Sequence, residues 1–178
     1  MHNKQQIRQM ISQYKRDLSP LYIKLSSDVI IHKLTEHPKF KSAHCLCIYN
    51  ALFDEPQTLD FIKKWCKHKE IYLPIIRNED IVLSRVTNTT KLKKGRFNIL
   101  EPDTENILHD LSQIQLIIVP GIAFDTKCNR LGRGKGYYDR LLSRSEFANV
   151  YKIGMCFDFQ KFETLPIHSH DIKMDEVL

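Results

Sequence analysis

The feature that most constrains this chain is the stretch 116–142, which passes from an apolar β-branched run through a glycine-rich basic segment into a helical pattern. Residues 116–119 (LIIV) have the continuous apolar character of a strand covered on both faces, and Pro120-Gly121 ends it with turn chemistry. In the loop that follows, Gly132, Gly134 and Gly136 alternate with Arg133 and Lys135, so the backbone can approach an anion closely while two cations neutralise it. Residues 137–142 read as a helix whose first amides and dipole point at the same anion. Strand, basic loop and helix in this order build a phosphate site.

Two familiar phosphate loops are excluded by spacing. Lys135 is followed by Gly136 where a Walker A loop places the Ser or Thr that holds magnesium. The dinucleotide fingerprint fails because the third glycine arrives one residue early, with no acidic residue after a second strand about twenty positions on.

The rest of the chain supplies the frame. Residues 4–18 carry Ile7, Met10, Ile11, Tyr14 and Leu18 at helical spacing, and Ser19-Pro20 supplies an N-cap and first-turn proline for a second helix. A strand at 44–49, a helix at 58–68 and a strand at 71–76 form a βαβ unit. Further strands are predicted at 81–86, 116–119 and 150–157. The alternation predicts an α/β fold over residues 1–178: a helical N-terminus at about 4–35, then an α/β core at about 44–178. Its form is a single three-layer domain, a mostly parallel sheet flanked by helices, Rossmann-like. Ligands in such sheets sit beyond the carboxyl ends of the strands, where Glu55, Asp125 and the glycine loop fall. Residues 88–110 are the loosest and, with Lys91, Lys93, Lys94 and Arg96, the most basic. They read either as a solvated connection or as a flap that helps hold an anionic ligand.

Composition narrows the partner only partly. In 178 residues, 42% hydrophobic and 27% charged are ordinary for one globular domain, and a net charge of +6 with a pI near 9.0 points to an anionic partner. The N-terminus has no apolar signal core and no stretch of membrane-spanning length, so a cytoplasmic protein without a membrane partner is expected. Five cysteines, odd in number and without a CxxC pair, argue against disulfides and a zinc ribbon. They read as reduced thiols packed as small hydrophobes, with Cys45 and Cys47 on one face of a strand. Dispersed Lys and Arg, and no aromatic strand or recognition-helix pattern, weigh against a nucleic-acid module.

PGIAFD followed by NRLGRGKGYYDR resembles the signature of the 5-formyltetrahydrofolate cyclo-ligases, also called methenyltetrahydrofolate synthetases. Further family-like features occur in the family's order: Lys4 and Arg8, Asp54-Glu55 with Thr58, GRFNILEP at 95–102, and His170-Asp171 with Met174-Asp175. One departure is Cys128, where the family often has Gly, which leaves the turn after Asp125 open.

The resemblance implies ATP-dependent cyclisation of 5-formyltetrahydrofolate, free or polyglutamylated, to 5,10-methenyltetrahydrofolate, by a monomer using magnesium. It implies nucleotide contacts from Lys4, Arg8, Arg130, Leu131, Gly132, Arg133, Gly134, Lys135, Gly136, Tyr137 and Tyr138. It places folate against Glu55, Phe97, Arg133, Gly134, Lys135, Gly136 and Tyr137, and magnesium on Asp139 and Asp171, with Asp125 and Asp175 as alternates. Lys135, Arg133 and Tyr137 would carry the catalysis.

Beside the roles that the resemblance implies, several of these residues have plainer ones. Lys4 and Arg8 share a helical face and read as solvated charges. Glu55 reads either as the pterin carboxylate or as an acid favoured by a nearby helix start. One ring of the Tyr137-Tyr138 pair would meet the pterin or adenine while the other enters the core, and Phe97 is either a pterin wall or a core aromatic. His168 and His170 lack a third soft ligand, which argues against a histidine metal site. A different ATP-dependent ligase or kinase on the same fold is the remaining alternative.

Overall fold

The structure, a computed structural model, describes residues 2–95, 99–102 and 106–178. The first helix, α1 (Lys4–Arg16), starts at a capping box: the Asn3 side chain accepts from the Gln6 amide, and the Gln6 side chain accepts from the Asn3 amide. Its buried positions are Ile7, Ile11 and Lys15, spaced by four. Tyr14, expected on the apolar stripe, is instead 59% exposed and stacks on Phe159. Ser19 caps α2 (Pro20–Glu36) by accepting from the Tyr22 amide, and a short α3 (Pro38–Ser42) follows.

The remaining elements are β1 (Cys45–Ile48), α4 (Leu59–Trp65), β2 (Glu70–Arg77), β3 (Asp80–Val86), β4 (Leu92–Lys94) and β5 (Leu100–Pro102). After these come β6 (Leu116–Pro120), β7 (Ala123–Asp125), β8 (Arg130–Leu131), α5 (Tyr137–Leu142), β9 (Tyr151–Met155), β10 (Lys161–Phe162) and β11 (Glu176–Val177). The main sheet runs β11-β9-β6-β1-β2-β3. It is parallel except at β3, which returns antiparallel to β2 through Asn78-Glu79. Both turn residues have positive φ, the twist that suits a two-residue hairpin.

Strand alternation divides the core in two. Leu46, Ile48, Ile71, Leu73, Leu116, Ile118 and Ile153 pack against α2, α3 and α4 through Ile30, Leu34, Phe40, Phe61 and Ile62. On the other face Cys45, Cys47, Tyr72, Ile117 and Val119 pack against Leu141, Leu142 and Phe147. Both faces of β6 are therefore covered, which is why its sequence is continuously apolar. Each such side chain contributes about 1.5–3 kcal/mol when fully buried. The expected three-layer α/β architecture is present. All five cysteines are free thiols, with Cys45 and Cys47 on one face as the alternation required.

One expectation needs correction. The segment between β6 and the glycine loop, read as open loop, contains the β7–β8 hairpin, which joins β10 in a second sheet. Asp125 organises its turn. Its carboxylate accepts from the backbone amides of Lys127, Asn129 and Leu165 and from the Asn129 side chain, at 2.9–3.0 Å. The turn is left-handed at Cys128, with φ 62°, a conformation that only glycine adopts without steric cost. α1 packs on this small sheet through Ile7 and Ile11 against Ile122, Ala123, Leu131 and Leu165. That contact brings the N-terminal helix to the glycine loop.

Candidate active site

A cavity of about 360 Å³ opens at the carboxyl ends of β1 and β6. Tyr49 and Asn50 follow β1, Pro120 and Gly121 end β6, and the glycine loop with the start of α5 closes one side. Pro74, Ile76 and Ile81 of the β2–β3 hairpin form an apolar wall, joined by Ile99 and Glu101. This is the position that a parallel sheet dictates for its ligand.

The loop takes its shape from two glycines in the left-handed region, Gly134 (φ 100°) and Gly136 (φ 68°). Gly136 leads directly into α5, which has only six residues, under two turns. A helix this short adds little dipole, so the loop's positive character rests on its side chains. Gly132 lies between the two N-terminal contacts: Arg8 Nε donates to its carbonyl at 2.9 Å, while Lys4 pairs with Asp171. These two cations, solvated on a sequence-only reading, are docked on the loop and on the C-terminal segment because α1 packs there.

The remaining cations divide by partner. Among the described residues the Lys135 ammonium has no hydrogen bond or ion pair, and it borders the cavity. Arg133 donates to Glu55 at 2.8 Å and to Asp54 at 3.3 Å. Glu55 is only 6% exposed, and its second oxygen accepts from the Leu52 amide. Its contacts are with the loop and not with the start of α4. Arg130, also buried, donates to Asp139 at 2.9 Å and to the Pro120 carbonyl, with its guanidinium over the Tyr138 ring. Leu131 is turned into the cluster under α1.

Both tyrosines border the cavity, and both pack on the core beside Leu141 and Leu142. Phe97 and Arg96 lie outside the described residues. The β4–β5 hairpin that flanks them reaches the cavity through Ile99 and Glu101, and Asn50 donates to the Leu100 carbonyl beneath it. Lys91, Lys93 and Lys94 are exposed.

The carboxylates expected to hold magnesium are both engaged. Asp139 accepts from Arg130 and, at 3.4 Å, from the Ile172 amide, all through Oδ1. Asp171 accepts from Lys4 and from the His168 amide through Oδ2. Burial pushes the Asp171 carboxyl up, but Lys4 and the His168 amide outweigh it and hold the group below the usual range. Each carboxylate keeps one oxygen without a hydrogen bond among the described residues. Of the alternates, Asp125 fits less well because both its oxygens are taken by its turn, while Asp175 accepts from the Lys152 amide through Oδ2 alone. His168, His170 and Asp171 place ligand atoms within 4.8 Å of one another, with both imidazoles exposed.

Sequence reasoning missed the apolar wall from the β2–β3 hairpin and, beneath the acidic loop, Lys15. The helical period carried the signal for Lys15, since it continues the buried series Ile7, Ile11.

The profile of the 5-formyltetrahydrofolate cyclo-ligase family matches residues 1–178. The 5-formyltetrahydrofolate cyclo-ligase of Haemophilus influenzae is 27% identical, over 98% of this chain and 96% of its own length. The probable cyclo-ligase of Schizosaccharomyces pombe is 31% identical, over 98% and 94%. The NMR structure of Aquifex aeolicus 5,10-methenyltetrahydrofolate synthetase superposes with a TM-score of 0.87 at 33% identity, covering 98% of this chain and 88% of that one. The synthetase from Mycoplasma pneumoniae, at 22% identity and a TM-score of 0.78, shares the fold. The chain belongs to the 5-formyltetrahydrofolate cyclo-ligase family.

Proposed function

We propose that the chain cyclises 5-formyltetrahydrofolate to 5,10-methenyltetrahydrofolate in this cavity, with ATP as the phosphoryl donor. The observation that carries the reading is one cavity bordered by Lys135, a cation without a partner among the described residues, and by a buried carboxylate, Glu55. Glu55 accepts hydrogen bonds from the pterin's amino and ring N–H groups, and the apolar wall of Pro74, Ile76 and Ile81 covers the ring. The glycine loop holds the triphosphate.

The formyl oxygen attacks the terminal phosphorus, the bond to the bridging oxygen breaks, and ADP leaves. The resulting iminium phosphate is attacked at carbon by the neighbouring folate nitrogen, and phosphate departs as the ring closes. No protein nucleophile is needed. An amide oxygen is a poor nucleophile, so alignment and charge stabilisation must do most of the work. Lys135, at the cavity's edge, stabilises the transferring group, and Arg133 joins it on leaving Glu55. Arg8 fixes the loop from below through the Gly132 carbonyl, and Lys4 holds Asp171. Asp139 and Asp171, each with an oxygen to offer, would hold Mg2+, which supplies charge neutralisation at the phosphate oxygens.

The stoichiometry of purified protein tests this reading. One ADP and one phosphate should be released per methenyl product formed, and ATP hydrolysis uncoupled from ring closure would overturn it.

A further inference from the structure

The Lys15 ammonium is buried in α1 with 5% of its side chain exposed. It pairs with Asp54 Oδ2 at 3.2 Å without hydrogen-bond geometry, and among the described residues the ammonium has no hydrogen-bond partner. A buried cation left so poorly satisfied costs stability and calls for a reason. Burial lowers its pKa, opposed by Asp54 and Glu55.

The reason lies in how the neighbouring charges balance. Asp54 forms an ion pair with Lys15 through Oδ2 and accepts from Arg133 through Oδ1, while Arg133 also donates to Glu55. Two cations thus face two carboxylates in a row: Lys15, Asp54, Arg133, Glu55. With Lys15 in place Asp54 is already compensated, and the Arg133 contact to it is the longer one, 3.3 Å against 2.8 Å to Glu55. Without Lys15, Arg133 would be the one counter-charge among the described residues for both carboxylates and would be held on them more firmly, less free to turn to phosphate.

We infer that Lys15 is a positioning residue that neutralises Asp54 and so keeps Arg133 available to the reacting phosphate. It touches neither substrate, since it lies outside the cavity lining. The inference rests on the proposed cyclo-ligase reaction.

Steady-state kinetics and thermal denaturation of Lys15→Met, Lys15→Arg, Asp54→Asn and the double variant Lys15→Met/Asp54→Asn test it. Lys15→Met should melt no lower than wild type, because a poorly satisfied buried ammonium is replaced by an apolar chain of similar length. Its kcat should nonetheless fall on the order of 10- to 100-fold, as expected when a reacting-site group is misplaced from a distance. Lys15→Arg should restore most of the rate, and the double variant should exceed Lys15→Met because removing both charges returns Arg133 to Glu55 alone. A Lys15→Met variant with wild-type kcat overturns the inference, as does a double variant no faster than Lys15→Met. If wild type itself has no cyclo-ligase activity, the reaction assignment fails instead.

Discussion

Arg133 and Glu55 are each other's counter-charge: the guanidinium donates to the carboxylate at 2.8 Å across 78 residues of sequence. The cation assigned to phosphate and the acid assigned to the pterin are therefore one ion pair. A pterin that takes up Glu55 frees Arg133 for the triphosphate. Binding of 5-formyltetrahydrofolate and a non-hydrolysable ATP analogue should thus be positively coupled, by the 5- to 150-fold typical of linked sites. Isothermal titration of each ligand in the presence and absence of the other measures the coupling. Glu55→Gln should reduce it several-fold, and equal coupling in that variant would contradict the linkage.

Lys135 is the one loop cation with no partner among the described residues, so its charge is unspoken for before phosphate binds. Lys135→Ala should leave the melting temperature and folate affinity close to wild type while lowering turnover on the order of 100-fold or more. Rapid-quench measurement of the phosphoryl-transfer step gives the comparison. Unchanged turnover would remove Lys135 from the chemistry.

The thiols should sort by burial. Burial pushes Cys45 up to about 11 and Cys156 to about 12, and it raises Cys47 as well, so none of the three forms thiolate at neutral pH. Cys66 and Cys128 are the partly exposed ones. A chromogenic disulfide reagent should modify these two in the native protein and all five after denaturation. Fast native modification of three or more would show that the β1 face opens.

Acid should release the β7–β8 turn. Burial would raise the Asp125 carboxyl, but the Asn129 side chain and the amides of Asn129, Leu165 and Lys127 more than offset it, and the group is lowered. A depressed carboxyl contributes stability above its unfolded pKa, near 3.9, and that contribution is lost as pH falls through the folded value. The urea midpoint should therefore drop between about pH 5 and pH 2. Asp125→Asn should cost about 1–3 kcal/mol at neutral pH and flatten this acid dependence. A variant with the same acid profile as wild type would place the transition elsewhere.

The sheet was legible where one physical signal dominated. LIIV at β6 and the apolar period of the β1–α4–β2 unit follow from burial on both faces and needed no tertiary information. The β7–β8 hairpin was not legible, because it depends on one carboxylate gathering four N–H groups, one of them from Leu165, 40 residues away. At the site, the glycine loop and Glu55 stood out by residue type and order. That Arg133 pairs with Glu55, Arg130 with Asp139 and Lys4 with Asp171 could not be read locally, since the partners lie 78, 9 and 167 positions apart. Lys15 continues the buried period of Ile7 and Ile11, but what it meets there depends on α1 packing against the β7–β8 sheet and on the distant acidic loop.

The most direct measurement is absorbance in the methenyltetrahydrofolate band after mixing purified protein, magnesium and 5-formyltetrahydrofolate, with and without ATP, for wild type and Lys135→Ala. The account predicts growth of the band only with ATP, and a rate lowered about 100-fold in the variant. Growth without ATP, or a variant as fast as wild type, would contradict phosphoryl transfer at the glycine loop.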